Sequence, residues 1–122
     1  MILGGMGTPV PDQTMARLLH LLATEAPSEA FDQLAEIVEA VGGEIEIICD
    51  GGVRRGTHVL KALAQGATAA SGGRLYLYAL AAAGQPGVER ALGLLKDEIE
   101  RGMRLMGVTS VAQLNRDHLR RR

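Results

Sequence analysis

The chain of 122 residues has a single cysteine, Cys49, so it can form no internal disulfide, and a reducing, cytoplasmic setting is the expectation. It has no tryptophan and only three aromatic residues, Phe31, Tyr76 and Tyr78, which excludes a base-stacking surface and an aromatic-rich core. Charge of one sign is scarce too. Thirteen Lys plus Arg stand against 14 Asp plus Glu, for a net charge of -1. Without the basic field that holds phosphate backbones, no nucleic-acid partner is expected. The longest apolar run, Leu75 to Ala83, is nine residues, half of the ~18 that a membrane helix needs, so no membrane span is expected. Residues 1–9 carry no positive charge ahead of their apolar residues and do not read as a secretory signal. Three dispersed histidines, His20, His58 and His118, offer no metal-ligand spacing with the lone cysteine, so no metal site is expected.

What the chain does have is apolar residues, at 47%, and glycine, at 16 of 122, about twice the ~7% norm. A chain of this length buries about two-thirds of its unfolded surface, enough for one core, while a complete eight-stranded barrel needs roughly 250 residues. Residues 1–11 read as an irregular lead-in. Met15, Leu18, Leu19 and Leu22 recur at helical spacing after Asp12, which predicts a first helix over 12–25. Ser28 caps a second helix with Phe31, Leu34, Ile37, Val38 and Val41 on its apolar face, closed by Gly42 and Gly43. Ile45 to Cys49 reads as a strand buried in a parallel sheet. Thr57 is the expected cap of a short helix carrying Val59, Leu60, Leu63 and Ala64, followed by a weaker strand over 67–71. Beyond the apolar run, a long helix carries Val88, Leu92, Leu95, Ile99, Met103 and Met106 on one face, with Asp97–Arg101 and Glu100–Arg104 as i,i+4 pairs. Ser110 and Gln113 fit a capping box. The strand–helix–strand order predicts a βαβ unit, and a sheet of only two parallel strands leaves both edges to be covered.

Chemistry is expected in two loops at strand ends, where α/β proteins place their binding loops. The first is Asp50-Gly51-Gly52-Val53-Arg54-Arg55-Gly56, and the second is Gly72-Gly73-Arg74. Glycine lets backbone N–H groups approach an anion closely, and arginine adds charge-assisted bonds. Spacing alone leaves two readings open: a phosphate cradle, or glycine-rich turns with solvated arginines. His58 in the first turn after the loop reads as solvated, and Cys49 as a core thiol.

These loops, with Thr57-His-Val-Leu-Lys-Ala-Leu-Ala-Gln-Gly-Ala, Leu75-Tyr-Leu-Tyr-Ala-Leu, Gly87-Val-Glu-Arg-Ala-Leu and Asp97-Glu-Ile-Glu, resemble the C-terminal part of the FMN-dependent α-hydroxy-acid dehydrogenases and oxidases. L-lactate dehydrogenase, glycolate oxidase and mandelate dehydrogenase are members. The resemblance covers about residues 27–120 and implies an α/β fold: the last two βα units and terminal helices of a TIM (β/α)8 barrel, an incomplete barrel with residues 1–26 unmatched. It implies FMN as cofactor, with Asp50 on the ribityl chain, and Gly51, Gly52, Arg54, Gly73 and Arg74 on the phosphate. Val53 contributes backbone only, and Arg55 faces solvent.

Family members oxidise (S)-2-hydroxy acids to 2-oxo acids, using a histidine in a Ser-Asn-His-Gly-Gly motif as base. Where that motif belongs, this chain reads Leu22-Ala-Thr-Glu-Ala-Pro, so no catalytic residue is assigned. Position 58, commonly aspartate in the family, is His58, and small residues at Ala69, Ala70 and Ser71 replace bulky aliphatics. The expectation is an FMN-binding segment that is inactive alone and takes a small 2-hydroxy acid only when a partner chain or a homo-oligomer completes the barrel. The alternatives are a non-catalytic remnant, a self-associating module without flavin, or a frame error upstream of residue 27.

Overall fold

A computed structural model of the chain describes residues 2–3, 13 and 30–120. The helix expected over 12–25 and the Ser28 cap therefore lie outside the described residues, as does His20. The first described helix, α1 (Ala30–Val41), turns Leu34, Ile37 and Val41 inward at 0%, 4% and 1% exposure, while Phe31 and Val38 pack beside them. That is the apolar stripe the 3.6-residue period predicts. The helix closes where the Gly42 N–H donates to the Val38 carbonyl at 2.8 Å, and Gly43 turns the chain at a φ of 86°.

Strand β2 (Ile47–Asp50) lies at the centre of a three-stranded sheet, between β1 (Ile2–Leu3) and β3 (Ala69–Ser71). It pairs parallel with β3, Ile48 opposite Ala69 and Asp50 opposite Ser71, and antiparallel with β1, Leu3 opposite Ile47. The amino-terminal residues are thus not wholly irregular, and two of them add an edge that composition did not announce. Burial along β2 alternates: Ile47 and Cys49 are buried, whereas Ile48 and Asp50 are only partly so. The run Ile45 to Cys49 suggested a strand covered on both faces. Among the described residues only one face is fully covered, so the pattern has the period of a half-buried strand. Thr68 secures the entry to β3, its Oγ1 accepting from the Ile47 N–H at 3.1 Å while its own N–H donates to the Ile47 carbonyl at 2.8 Å.

Between β2 and β3 runs α2 (Gly56–Gln65), completing the expected βαβ unit. Its cap is Arg55, not Thr57, and no side chain of the cap residue bonds the first turn. The helix ends at Gly66 with a φ of 113°, in the left-handed region that glycine tolerates. Then α3 (Gly73–Met106) runs for 34 residues, broken at Ala83 and Gly84, where φ is -152° and 60°. Pro86 follows in the first turn of the second half, where its missing N–H costs nothing. The apolar segment at 75–83 is therefore a helix of its own before the long one. Glu100 pairs with Arg104 at 3.3 Å and with Lys96 at 3.8 Å, whereas the Asp97–Arg101 pair is not formed among the described residues. Ser110 and Gln113 do form a capping box, on the short 3-10 turn Val111–Gln113. A second such turn, Arg116–His118, reaches back to α1, the Arg116 guanidinium donating to the Ala35 carbonyl at 3.3 Å.

The core cluster among the described residues is Leu34, Ile37, Val41, Ile47, Cys49, Ala62 and Ala67, shared by α1, β2, α2 and the α2–β3 connection. Burial pushes the Cys49 thiol's pKa up, as befits a core thiol. The second half of α3 crosses α2 through glycine: Gly102 lies against Leu60, and a Cβ on Gly56 would stand 2.6 Å from both the Glu98 Cβ and the Ile99 backbone nitrogen. Gly56→Ala is accordingly expected to lose about 1–3 kcal/mol by forcing the two helices apart, read as a lower urea midpoint at unchanged slope. The first half of α3 leaves Leu77, Tyr78 and Leu80 exposed at 59%, 63% and 54%.

Candidate functional site

Two turns meet beside the carboxyl ends of β2 and β3. Gly51 and Gly52 have φ of 128° and 70°, a left-handed pair that ends β2 abruptly and swings the chain across the start of α3. Asp50, Gly51, Gly52, Val53, Arg54, Gly73 and Arg74 line one cavity of about 200 Å³. All seven residues singled out in the sequence are therefore brought together, although Arg54 and Arg74 stand twenty positions apart. Val53 is 5% exposed, so its side chain belongs to the interior, and the residue lines the cavity with its neighbours.

The two helices that start here differ at their amino ends. At α2 the Gly56 N–H donates to Glu98 Oε2 at 2.7 Å, and the Arg55 Nε donates to Glu98 Oε1 at 2.7 Å. A carboxylate from α3 thus meets the positive end of α2. Arg55, expected to face solvent only, is exposed yet tied to Glu98. At α3 the cap is Gly72, which has no side chain to offer, and the first turn opens toward the cavity through Gly73 and Arg74. A Cβ on Gly73 would meet nothing within 4 Å. Internal packing therefore gives no reason for glycine there, whereas close approach by a ligand does. Among the described residues no carboxylate holds the guanidinium of Arg54 or of Arg74, and both are exposed. An uncapped helix start, two unengaged guanidiniums and a space kept clear of a Cβ fit a dianionic group such as a phosphate.

A model of the FMN-dependent dehydrogenase family matches residues 23–121. The chain belongs to that family. It is 48% identical over 98 residues to the L-lactate dehydrogenase (cytochrome) of Saccharomyces cerevisiae, covering 79% of this chain and 17% of that protein. To glycolate oxidase 1 of Zea mays it is 49% identical over 116 residues, covering 95% of this chain and 30% of that protein. The structure of a mandelate oxidase variant with the monooxide FMN adduct superposes with a TM-score of 0.72 at 37% identity, covering 84% of this chain and 37% of that one. Such neighbours are FMN-dependent enzymes of the TIM-barrel class, and the chain spans less than a third of the length of these curated relatives.

In this member of the FMN-dependent dehydrogenases, two site-forming residues escaped the sequence reading. Glu98 lies 42 positions from Gly56, and the periodicity of α3 gives no hint that it leaves the solvent face to brace α2. His58, expected to be solvated, is half-buried against the first loop. His118 serves locally, its Nδ1 3.3 Å from the Asn115 nitrogen. The Arg55 guanidinium and the Gly56 N–H together hold the Glu98 carboxyl below the usual carboxylate range. Its contribution to stability is therefore complete above the ordinary carboxylate pKa and is lost as pH falls through the lowered value. Glu98→Gln is expected to remove this part of the acid sensitivity, flattening the fall of the urea midpoint below pH 4.5 relative to the unmodified chain.

Proposed function

We propose that this chain is the FMN-binding part of an FMN-dependent oxidoreductase that oxidises (S)-2-hydroxy acids such as lactate to 2-oxo acids. Arg54, Arg74 and the backbone N–H groups of Gly51, Gly52, Val53 and Gly73 hold the cofactor's phosphate, and Asp50 the neighbouring ribityl chain. The observation that carries this reading is the meeting of all seven residues at one cavity beside an uncapped helix start. When bound, the flavin supplies two-electron oxidation of the substrate, and the chain's own residues anchor and orient it.

Leu22-Ala-Thr-Glu-Ala-Pro stands where the family's histidine motif belongs, which supports the reading that the chain alone anchors flavin without turnover. Completing the substrate pocket falls to further βα units, carried by a partner chain or a homo-oligomer, and the exposed Leu77, Tyr78 and Leu80 offer apolar surface for that contact. Among the described residues no helix is long and apolar enough to cross a membrane.

Titrating the purified chain with FMN, followed by quenching of flavin fluorescence, tests the anchor, with riboflavin as the phosphate-free control. FMN is expected to bind at least about tenfold tighter than riboflavin, the value of one charge-assisted bond or more. Equal affinity, or none, would overturn the assignment and favour a self-associating module without flavin.

A further inference from the structure

His58 stands in the first turn of α2, half-buried, with its Nδ1 3.2 Å from the Arg54 backbone nitrogen and 3.2 Å from the Gly52 carbonyl oxygen. One ring nitrogen cannot serve both. With the proton on Nε2 alone, Nδ1 accepts from the Arg54 N–H; with a proton on Nδ1, it donates to the Gly52 carbonyl and leaves the Arg54 N–H without that acceptor. The two contacts flank Val53, whose side chain is fixed in the interior, and Gly52 has a φ of 70°. The ring thus clasps the backbone segment from which Arg54 reaches the cavity.

We propose that His58 is a positioning residue for the anion-binding loop: protonation exchanges its hold on the Arg54 N–H for one on the Gly52 carbonyl, resetting how the loop presents Arg54 to the phosphate of FMN. This rests on the reading of the cavity as the FMN site. The exchange moves one proton onto Nδ1 from solvent and makes or breaks no covalent bond besides. Other charged groups face the same region: Asp32 of α1, Lys61 of α2, Arg116, His118 and Arg120 of the C-terminal segment, and the Arg55–Glu98 pair at the start of α2. The phosphate of FMN itself takes up a proton near pH 6.

His58→Asn separates His58 from all of these, because the Asn side-chain oxygen remains an acceptor for the Arg54 N–H at every pH. In the full chain labelled with 15N, lowering the pH from 8 to 5.5 is expected to shift the Arg54 amide with the same midpoint as the His58 ring nitrogens, and to leave that amide in place in His58→Asn. FMN affinity of the unmodified chain is expected to fall about fivefold more over that range than that of His58→Asn, the value of one lost hydrogen bond. His58→Ala should bind FMN about fivefold more weakly than His58→Asn at both pH values. If FMN binds but the Arg54 amide ignores the His58 titration, or the pH profiles of the unmodified chain and His58→Asn coincide, the role of His58 is overturned while the cofactor site stands. If FMN fails to bind at either pH, the cofactor site falls, and with it the consequence drawn for phosphate.

Discussion

Replacing Arg54 and Arg74 together with alanine is expected to weaken FMN binding by roughly a hundred- to ten-thousandfold while leaving the fold intact. A hydrogen bond to a charged group is worth about 1.5–3 kcal/mol, and the double change removes at least one from each side of the cavity. Both guanidiniums are exposed, and neither is held by a carboxylate among the described residues, so the fold loses no ion pair with them. Far-ultraviolet circular dichroism and the urea midpoint should therefore match the unmodified chain. Lysine at both positions keeps the charge but not the planar fork that meets a phosphate with two parallel bonds, and an intermediate affinity is expected. Binding that survives the double alanine change would mean that the phosphate is held elsewhere.

Leu34→Ala is expected to cost about 2–5 kcal/mol, a large share of the ~5–15 kcal/mol that a domain of this kind has in all. Leu34 has no exposed surface and belongs to a core cluster of seven buried residues among those described. Its neighbours come from α1, β2 and the end of α2, three elements that cannot all close on the same hole. Linear extrapolation of urea unfolding gives the number, and Leu77→Ala is the control. Leu77 is 59% exposed, so its removal should change stability little, by about 0.5 kcal/mol or less. A small loss for Leu34 would show that α1 is not essential to the core.

The elements legible in the sequence were those with internal period. Leu34, Ile37 and Val41 announced α1, and Gly42 and Gly43 announced where it stops. The cavity was legible because its residues are packed into two short glycine-rich runs, each at a strand end. What stayed hidden depends on contacts that no local pattern encodes. Thr57 looked like a cap because the local signal favours a hydroxyl, but Glu98 satisfies the start of α2 from another helix, and the helix begins at Gly56, two residues earlier than a Thr57 cap would set it. β1 is two residues long, too short to show alternation, and exists only through its pairing with Ile47 and Ile48. His58 looked solvated because a lone histidine on a helix start carries no pattern, while its contacts are to backbone atoms that composition cannot reveal.

The break at Ala83 and Gly84 divides α3 into parts with separate duties, the leading part opening on the cavity and the trailing part locked to α2 by Gly102 and Glu98. The two parts nevertheless meet across the break, where Gly87 lies so close to the Ala79 carbonyl that a Cβ would not fit between them. A side chain at position 87 would therefore pry the ligand cradle away from the helix pair, whereas glycine lets one brace the other.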